Sequence, residues 1–216
     1  MFPRGLVTIT SSIKEALTKD EIIPTVIHDK DFVPKGFLLI QYPGDDKQVT
    51  MGNTLKPEET QTRPTIHFTL NVPDNNDSIK ITNDDKFTLI FTDPDAPTKS
   101  DDKWSEYCHY VSTNISLNSF DSESVDAANL DTKLTTQDLT GHDLTSYLGP
   151  GPPPKTGKHR YVFLLYKQKP GVSPAQIPDR PNWGTGIPGY GAAEYAKKNG
   201  LELLAVNYFF AQNKEQ

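Results

Sequence analysis

Apolar positions in this chain fall mainly into short runs and alternating segments, with few helical stripes. Phe37-Leu38-Leu39-Ile40-Gln41-Tyr42 is an apolar run fenced by Gly36 on one side and Pro43-Gly44 on the other. Thr65 to Leu70 alternates and is rich in β-formers, and Phe87 to Phe91, Tyr161 to Tyr166 and Leu203 to Phe210 have the same character. Each is of strand length, β-branched or aromatic, and bounded by turn residues, which predicts a strand. Ser105-Glu106-Tyr107-Cys108-His109 opens a further one. The 18 prolines and 14 glycines supply turns between them. The pattern predicts a mostly β chain.

Helical spacing is confined to two places. Ser12-Ile13-Lys14-Glu15 reads as a capping box, and Ile13, Ala16 and Leu17 then share one face, so a short helix is expected to start there. Pro24 ends it, because its ring cannot continue a helix. Residues 1–9 carry no such signal and are expected to form a flexible N-terminal segment. A second helix is expected from Tyr190 to Asn199, with Gly200 as its left-handed terminator. From Ser112 to Thr145 the chain is dominated by Ser, Thr, Asp and Asn. An edge strand is expected at its start, followed by a long solvated excursion over 116–145.

Bulk properties narrow the picture further. The 216 residues carry no linker composition and no internal repeat, so a single domain over 1–216 is expected. A formal net charge of −6, from 22 Lys+Arg against 28 Asp+Glu, is the wrong sign for a nucleic-acid groove or for broad adhesion to an anionic membrane. Any phosphate must therefore be held by a local pocket. Cys108 is the only cysteine, which excludes an intramolecular disulfide. The opening Met1-Phe2-Pro3-Arg4-Gly5-Leu6-Val7 lacks the apolar core of a secretory signal, and no apolar run approaches the length of a membrane span. A cytoplasmic location is the expectation.

Two segments concentrate groups that a sheet does not need. Asp93-Pro94-Asp95-Ala96-Pro97 follows the Phe87–Phe91 strand directly; it reads either as an ordinary solvated turn or as a rigid loop presenting carboxylates at fixed angles. The second runs from Gly149 through Gly151-Pro152-Pro153-Pro154 into Gly157-Lys158-His159-Arg160-Tyr161. Here a stiff loop meets His, Arg and Tyr, side chains able to grip an anion. Asp93, His109 and His159 are the residue types of a two-His, one-carboxylate metal set, but they stand on separate segments without a short-spaced ligand pair. No nucleophile elbow, zinc helix, Walker loop or dinucleotide fingerprint is present. Neither catalysis, a metal nor a cofactor is expected.

At these residues the chain resembles the phosphatidylethanolamine-binding protein family. Asp93 to Pro97 followed by Glu106-Tyr107-Cys108-His109 is similar to that family's first signature. Gly151-Pro152-Pro153 followed by Gly157-Lys158-His159-Arg160-Tyr161 is similar to its second, and the two occur in the family's order. The resemblance runs from about Ile23 to Gln212. It implies a mostly β fold with a large central antiparallel sheet, a smaller second sheet and a few short helices, and a cis Ala96–Pro97 bond. It also implies a pocket for a phosphate-like anion or phospholipid head group, lined by Asp93, His109, Pro152, Pro153, His159 and Tyr161, with Glu106 at its rim. His109 and His159 would donate to the anion, Asp93 would orient a histidine, and binding would weaken as pH rises above about 6.5.

Within the family, Met51-Gly52-Asn53-Thr54-Leu55, Lys103-Trp104-Ser105-Glu106, Tyr161 to Gln168 and Asp179-Arg180-Pro181-Asn182-Trp183-Gly184 resemble fungal members that inhibit a serine carboxypeptidase of the carboxypeptidase Y type. That implies a serine carboxypeptidase as partner, contact through Met1, Phe2 and Pro3, a monomer, and the vacuole as a second possible compartment. The alternative implied by other family members is a ligand-gated signalling regulator that inhibits no protease.

Overall fold

A computed structural model of the chain describes residues 4–71, 81–82, 84–117, 132–134 and 138–216. In chain order the elements are α1 (Arg4–Lys19), α2 (Ile22–Thr25), β1 (Gly36–Gln41), β2 (Gln48–Val49), β3 (Asn53–Thr54), β4 (Thr65–Asn71), β5 (Phe87–Asp93), β6 (Tyr107–Ile115), β7 (Thr132–Leu134), β8 (His142–Thr145), β9 (Lys158–Gln168), α3 (Ala192–Lys198) and β10 (Leu201–Gln212). Six strands form a large sheet in the order β3-β10-β9-β5-β6-β8, and four form a smaller one in the order β2-β1-β4-β7. All pairings are antiparallel except β10 with the short edge strand β3. This is the expected mostly β, two-sheet architecture.

The continuous apolar runs have a simple cause: the large sheet is covered on both faces. Phe87, Leu89 and Phe91 of β5 and Tyr161, Phe163 and Leu165 of β9 pack on Leu38, Ile40, Ile66 and Phe68 of the smaller sheet. Ile90, Val162, Leu164 and Val206, on the opposite face, pack on Leu17, Ile22, Val26, Trp183 and Tyr195. Every residue of β5 is consequently buried, as expected of a strand that meets apolar neighbours above and below. The smaller sheet is covered on one face, and β1 alternates accordingly, with Leu39 at 41% exposure between buried Leu38 and Ile40. No helix among the described residues is long and apolar enough to cross a membrane.

Three expectations about elements change. The first helix does not start at Ser12 but runs over Arg4–Lys19, so residues 4–9 of the supposed flexible segment are helical. The reason is legible in the spacing: Leu6, Ile9, Ile13 and Leu17 recur at intervals of three and four, and Ser12 lies inside that period. Met1, Phe2 and Pro3 lie outside the described residues. The polar stretch 116–145, where it is described, is no excursion: β7 pairs with β4, and β8 pairs with β6 as an edge of the large sheet. β6 is therefore an inner strand. The helix at 190–199 is found as α3, and Gly200 follows it with a φ of +62°.

Candidate functional site

The two singled-out loops meet where β5 ends and where β6 and β9 begin, and the reason lies in strand alternation. His159 and Arg160 are adjacent on β9, so they point to opposite faces. On one face His159 Nδ1 meets Asp93 Oδ2 at 2.9 Å. On the other, Arg160 Nε and Nη2 grip the Asp95 carboxylate at 2.9 and 2.6 Å, and the Arg160 backbone N–H adds a third bond at 2.8 Å. The Asp95 N–H donates to Asp93 Oδ1 at 2.7 Å, closing the loop as an Asx turn. Asp-Pro-Asp thus answers His-Arg: two carboxylates two residues apart, each caught by one of two neighbours on the next strand. The Ala96–Pro97 bond is cis, as the resemblance implies, and Ser105–Glu106 is cis as well.

The cavity formed there measures about 320 Å³. Asp93, His109, Pro153, His159 and Tyr161 line it, together with Tyr107, Trp104, Leu148 and the backbone of Gly149 to Gly151. His109 arrives through a β-bulge: Phe91 pairs with Tyr110 while Thr92 pairs with Cys108, which leaves His109 as the extra residue. The bulge puts His109 beside Phe91, Tyr107 and Tyr161, with ring centroids 5.2, 5.2 and 5.3 Å away. Its Nδ1 donates to the Leu148 carbonyl at 2.8 Å, so Nε2 is the nitrogen left for a ligand. Burial lowers the His109 pKa below the usual 6.5. The neutral ring therefore dominates at neutral pH, with Nε2 as an acceptor.

His159 has a different job from the one expected. Thr156 Oγ1 spends its single hydrogen on the Pro153 carbonyl at 2.8 Å, so it can only accept from His159 Nε2, 2.9 Å away. With Asp93 at Nδ1, both nitrogens of this buried ring are occupied, and His159 pins the proline loop to Asp93. Tyr161 lies across from Asp93, and its pKa is pushed up by burial first and the Asp93 charge second, so it stays a neutral hydroxyl.

Two expected pocket residues stand elsewhere. Pro152 does not line the cavity; it is buried, and its carbonyl accepts from Asn213 Nδ2 at 3.1 Å, where the residues after β10 fold back onto the loop. Glu106 is not at the rim but on the opposite face of the sheet, 2% exposed. Its Oε2 accepts from Thr92 Oγ1 at 2.8 Å and from the Ala192 N–H at the start of α3 at 3.2 Å, while Oε1 has no partner among the described residues. Alternation explains this, since counting back from His109 in twos reaches Tyr107. Tyr107, Trp104 and Thr156 were missed from the sequence, although their nearness to the two signatures was the signal available.

Residues 45–209 match the profile of the phosphatidylethanolamine-binding protein family. The chain belongs to that family. Among its relatives is the carboxypeptidase Y inhibitor of Saccharomyces cerevisiae, 41% identical over 209 residues that span 93% of this chain and 94% of the inhibitor. An uncharacterized protein of the same yeast is 36% identical over 208 residues, 95% of this chain and 96% of that one. Among solved structures, carboxypeptidase Y inhibitor complexed with its cognate proteinase superposes with a TM-score of 0.83 at 39% identity, covering 95% of this chain and 97% of the inhibitor. The phosphatidylethanolamine-binding protein from Plasmodium vivax, at 21% identity and a TM-score of 0.68 over 93% of this chain and 97% of its own, shares the fold.

Proposed function

We propose that this chain inhibits a serine carboxypeptidase of the carboxypeptidase Y type. The observation that carries the reading is its 41% identity, along nearly the whole length of both chains, to a protein that is such an inhibitor. Physical chemistry supplies a route. A carboxypeptidase admits a chain end into a deep site, and a terminus tethered to a folded body that also touches the enzyme plugs it at high effective concentration. Here α1 leads from the N-terminus, and its far end is clamped: Arg160 Nη1 donates to the Glu21 and Asp20 carbonyls at 2.8 and 3.2 Å, and Tyr208 Oη donates to Asp20 Oδ2 at 2.6 Å. Phe2 in Met1-Phe2-Pro3 offers an apolar anchor. The test is a titration of purified carboxypeptidase Y hydrolysing a chromogenic peptide. Full-length protein is expected to inhibit at or below micromolar concentration, deletion of residues 1–7 to lose most of the effect, and Trp104→Ala at the cavity mouth to keep it. An uninhibited enzyme at micromolar protein defeats the proposal.

A second reading rests on the cavity, which we infer takes a phosphate-like anion, free or as a phospholipid head group. A ring nitrogen, a tyrosine hydroxyl and stiff backbone converge there without a group poised for turnover. Because burial lowers the His109 pKa below 6.5, its Nε2 becomes a donor only on the acid side of that value, and phosphate affinity should rise there. Phosphate titrations followed by NMR between about pH 5 and 8 check this. Affinity that stays flat across the range would rule out the His109 imidazolium as the anion's donor.

A further inference from the structure

On the opposite side of the large sheet a groove of about 510 Å³ runs between the 27–35 loop, α3 and the start of β10. Ile27, Phe32, Ala193, Ala196 and Leu203 give it apolar walls, and the volume is in the range that small-molecule sites occupy. Two features set it apart from an ordinary surface depression. Tyr166 lines it although only 3% of that residue is exposed, and its hydroxyl makes no hydrogen bond with the described residues. A buried tyrosine ordinarily finds a partner for its hydroxyl, so this one is free to meet a polar group in the groove. The second feature is sign. On the 27–35 loop the lining holds the carboxylates of Asp29 and Asp31 against the single ammonium of Lys35, whereas Glu202, paired with Lys167 between Leu201 and Leu203, turns its carboxylate to the other face of the strand. His28 at the edge is already paired with Glu194 at 3.4 Å.

We propose that this groove is a second ligand site, distinct from the cavity beside His109, and that its ligand is a small cationic amphiphile. The apolar body lies along Phe32, Ala196 and Leu203, an amine head faces the Asp29 and Asp31 carboxylates, and the Tyr166 hydroxyl takes one of its hydrogen bonds. An anionic amphiphile of the same length is repelled by the same rim. This site stands apart from the carboxypeptidase reading, since it uses neither the N-terminal segment nor the His109 cavity.

The experiment is a two-dimensional NMR titration of the full chain with n-octylammonium, n-octanol and n-octanoate. Octylammonium should bind saturably, with shifts confined to residues 27–35, Tyr166, α3 and the start of β10; octanol should bind more weakly and octanoate not at all. Asp29→Asn or Asp31→Asn should each weaken octylammonium about threefold, the size of one exposed charge contact. Added salt should weaken it too. Tyr166→Phe tests the hydroxyl. Ala193→Phe, on a half-buried helix position, should fill the groove and abolish the shifts, whereas Trp104→Ala should leave them unchanged. Three results overturn the proposal: equal binding of octanoate, shifts that map to the His109 cavity, or no saturation. A change of self-association in the Ala193→Phe variant would overturn it as well, by making the groove an interface between copies of the chain.

Discussion

A carboxyl group shut between a sheet and a helix end must either find donors or keep its proton. Glu106 has two donors on Oε2 and none on Oε1, and its burial raises the pKa to about 8. Gly191 makes the fit possible, because a Cβ there would fall 2.0 Å from the Glu106 Cδ. The unfolded chain releases this proton near 4.5 and the folded chain only near 8. Between those values the folded state holds the extra proton, so stability falls as pH rises through the window and levels off above it. The accumulated loss is on the order of a few kcal/mol. Glu106→Gln keeps an acceptor for Thr92 and Ala192 but has no proton to lose. Urea unfolding from pH 5 to 9 should show the variant lacking that downward slope and exceeding the parent in stability at the alkaline end. Parallel curves would mean that Glu106 is already ionised when folded.

At the level of elements, the same alternation that made strands easy to read also explains what was hard. Phe87–Phe91 and Tyr161–Tyr166 stood out because both faces of the large sheet are covered, so their runs are apolar throughout. The start of α1 was hidden because Thr8, Thr10, Ser11 and Ser12 resemble a cap cluster, while the apolar period that overrides them is spread over four positions from Leu6 to Leu17. The signatures revealed which residues cluster, yet not which face each serves. A bulge brings His109 to the cavity, and simple counting sends Glu106 to the other side. Arg160 is the consequential case, since its neighbour His159 builds the cavity while its own guanidinium joins Asp95 to the end of α1. Removing one partner of a buried pair costs about 3–5 kcal/mol. Arg160→Met should therefore lower thermal stability sharply and, at temperatures where it remains folded, speed amide exchange over residues 16–21. Lys99→Ala, which cuts only the exposed tie to Glu21 at 2.5 Å, should leave both unchanged. Equal effects from the two variants would show that surface and buried ties hold α1 alike.

Taken as a whole, the molecule is a thick slab in which the large sheet is the middle layer. The smaller sheet covers one face, and the helices with the 177–196 region cover the other. The layers are not equal in what holds them. Inner strands β5 and β9 bury side chains on both faces and pair on both edges, with all eleven residues of β9 paired to β10 around one bulge at Leu204. In the smaller sheet β1 shows alternate residues to solvent and β2 contributes only two residues. Opening free energy follows buried apolar contact and hydrogen-bond shielding, so the two sheets should come apart at different costs. Native-state hydrogen exchange in low denaturant is expected to rank them. Amides of β5 and β9 should exchange only with global unfolding, and those of β1 and β4 through a cheaper partial opening that leaves the His109 cavity intact. The cavity is spared because Asp93, His109 and His159 belong to the large sheet alone. Under conditions that open the smaller sheet, NMR signals of His109 and Tyr161 should keep their native shifts. Loss of those signals in step with β1 would instead make the two sheets a single cooperative unit.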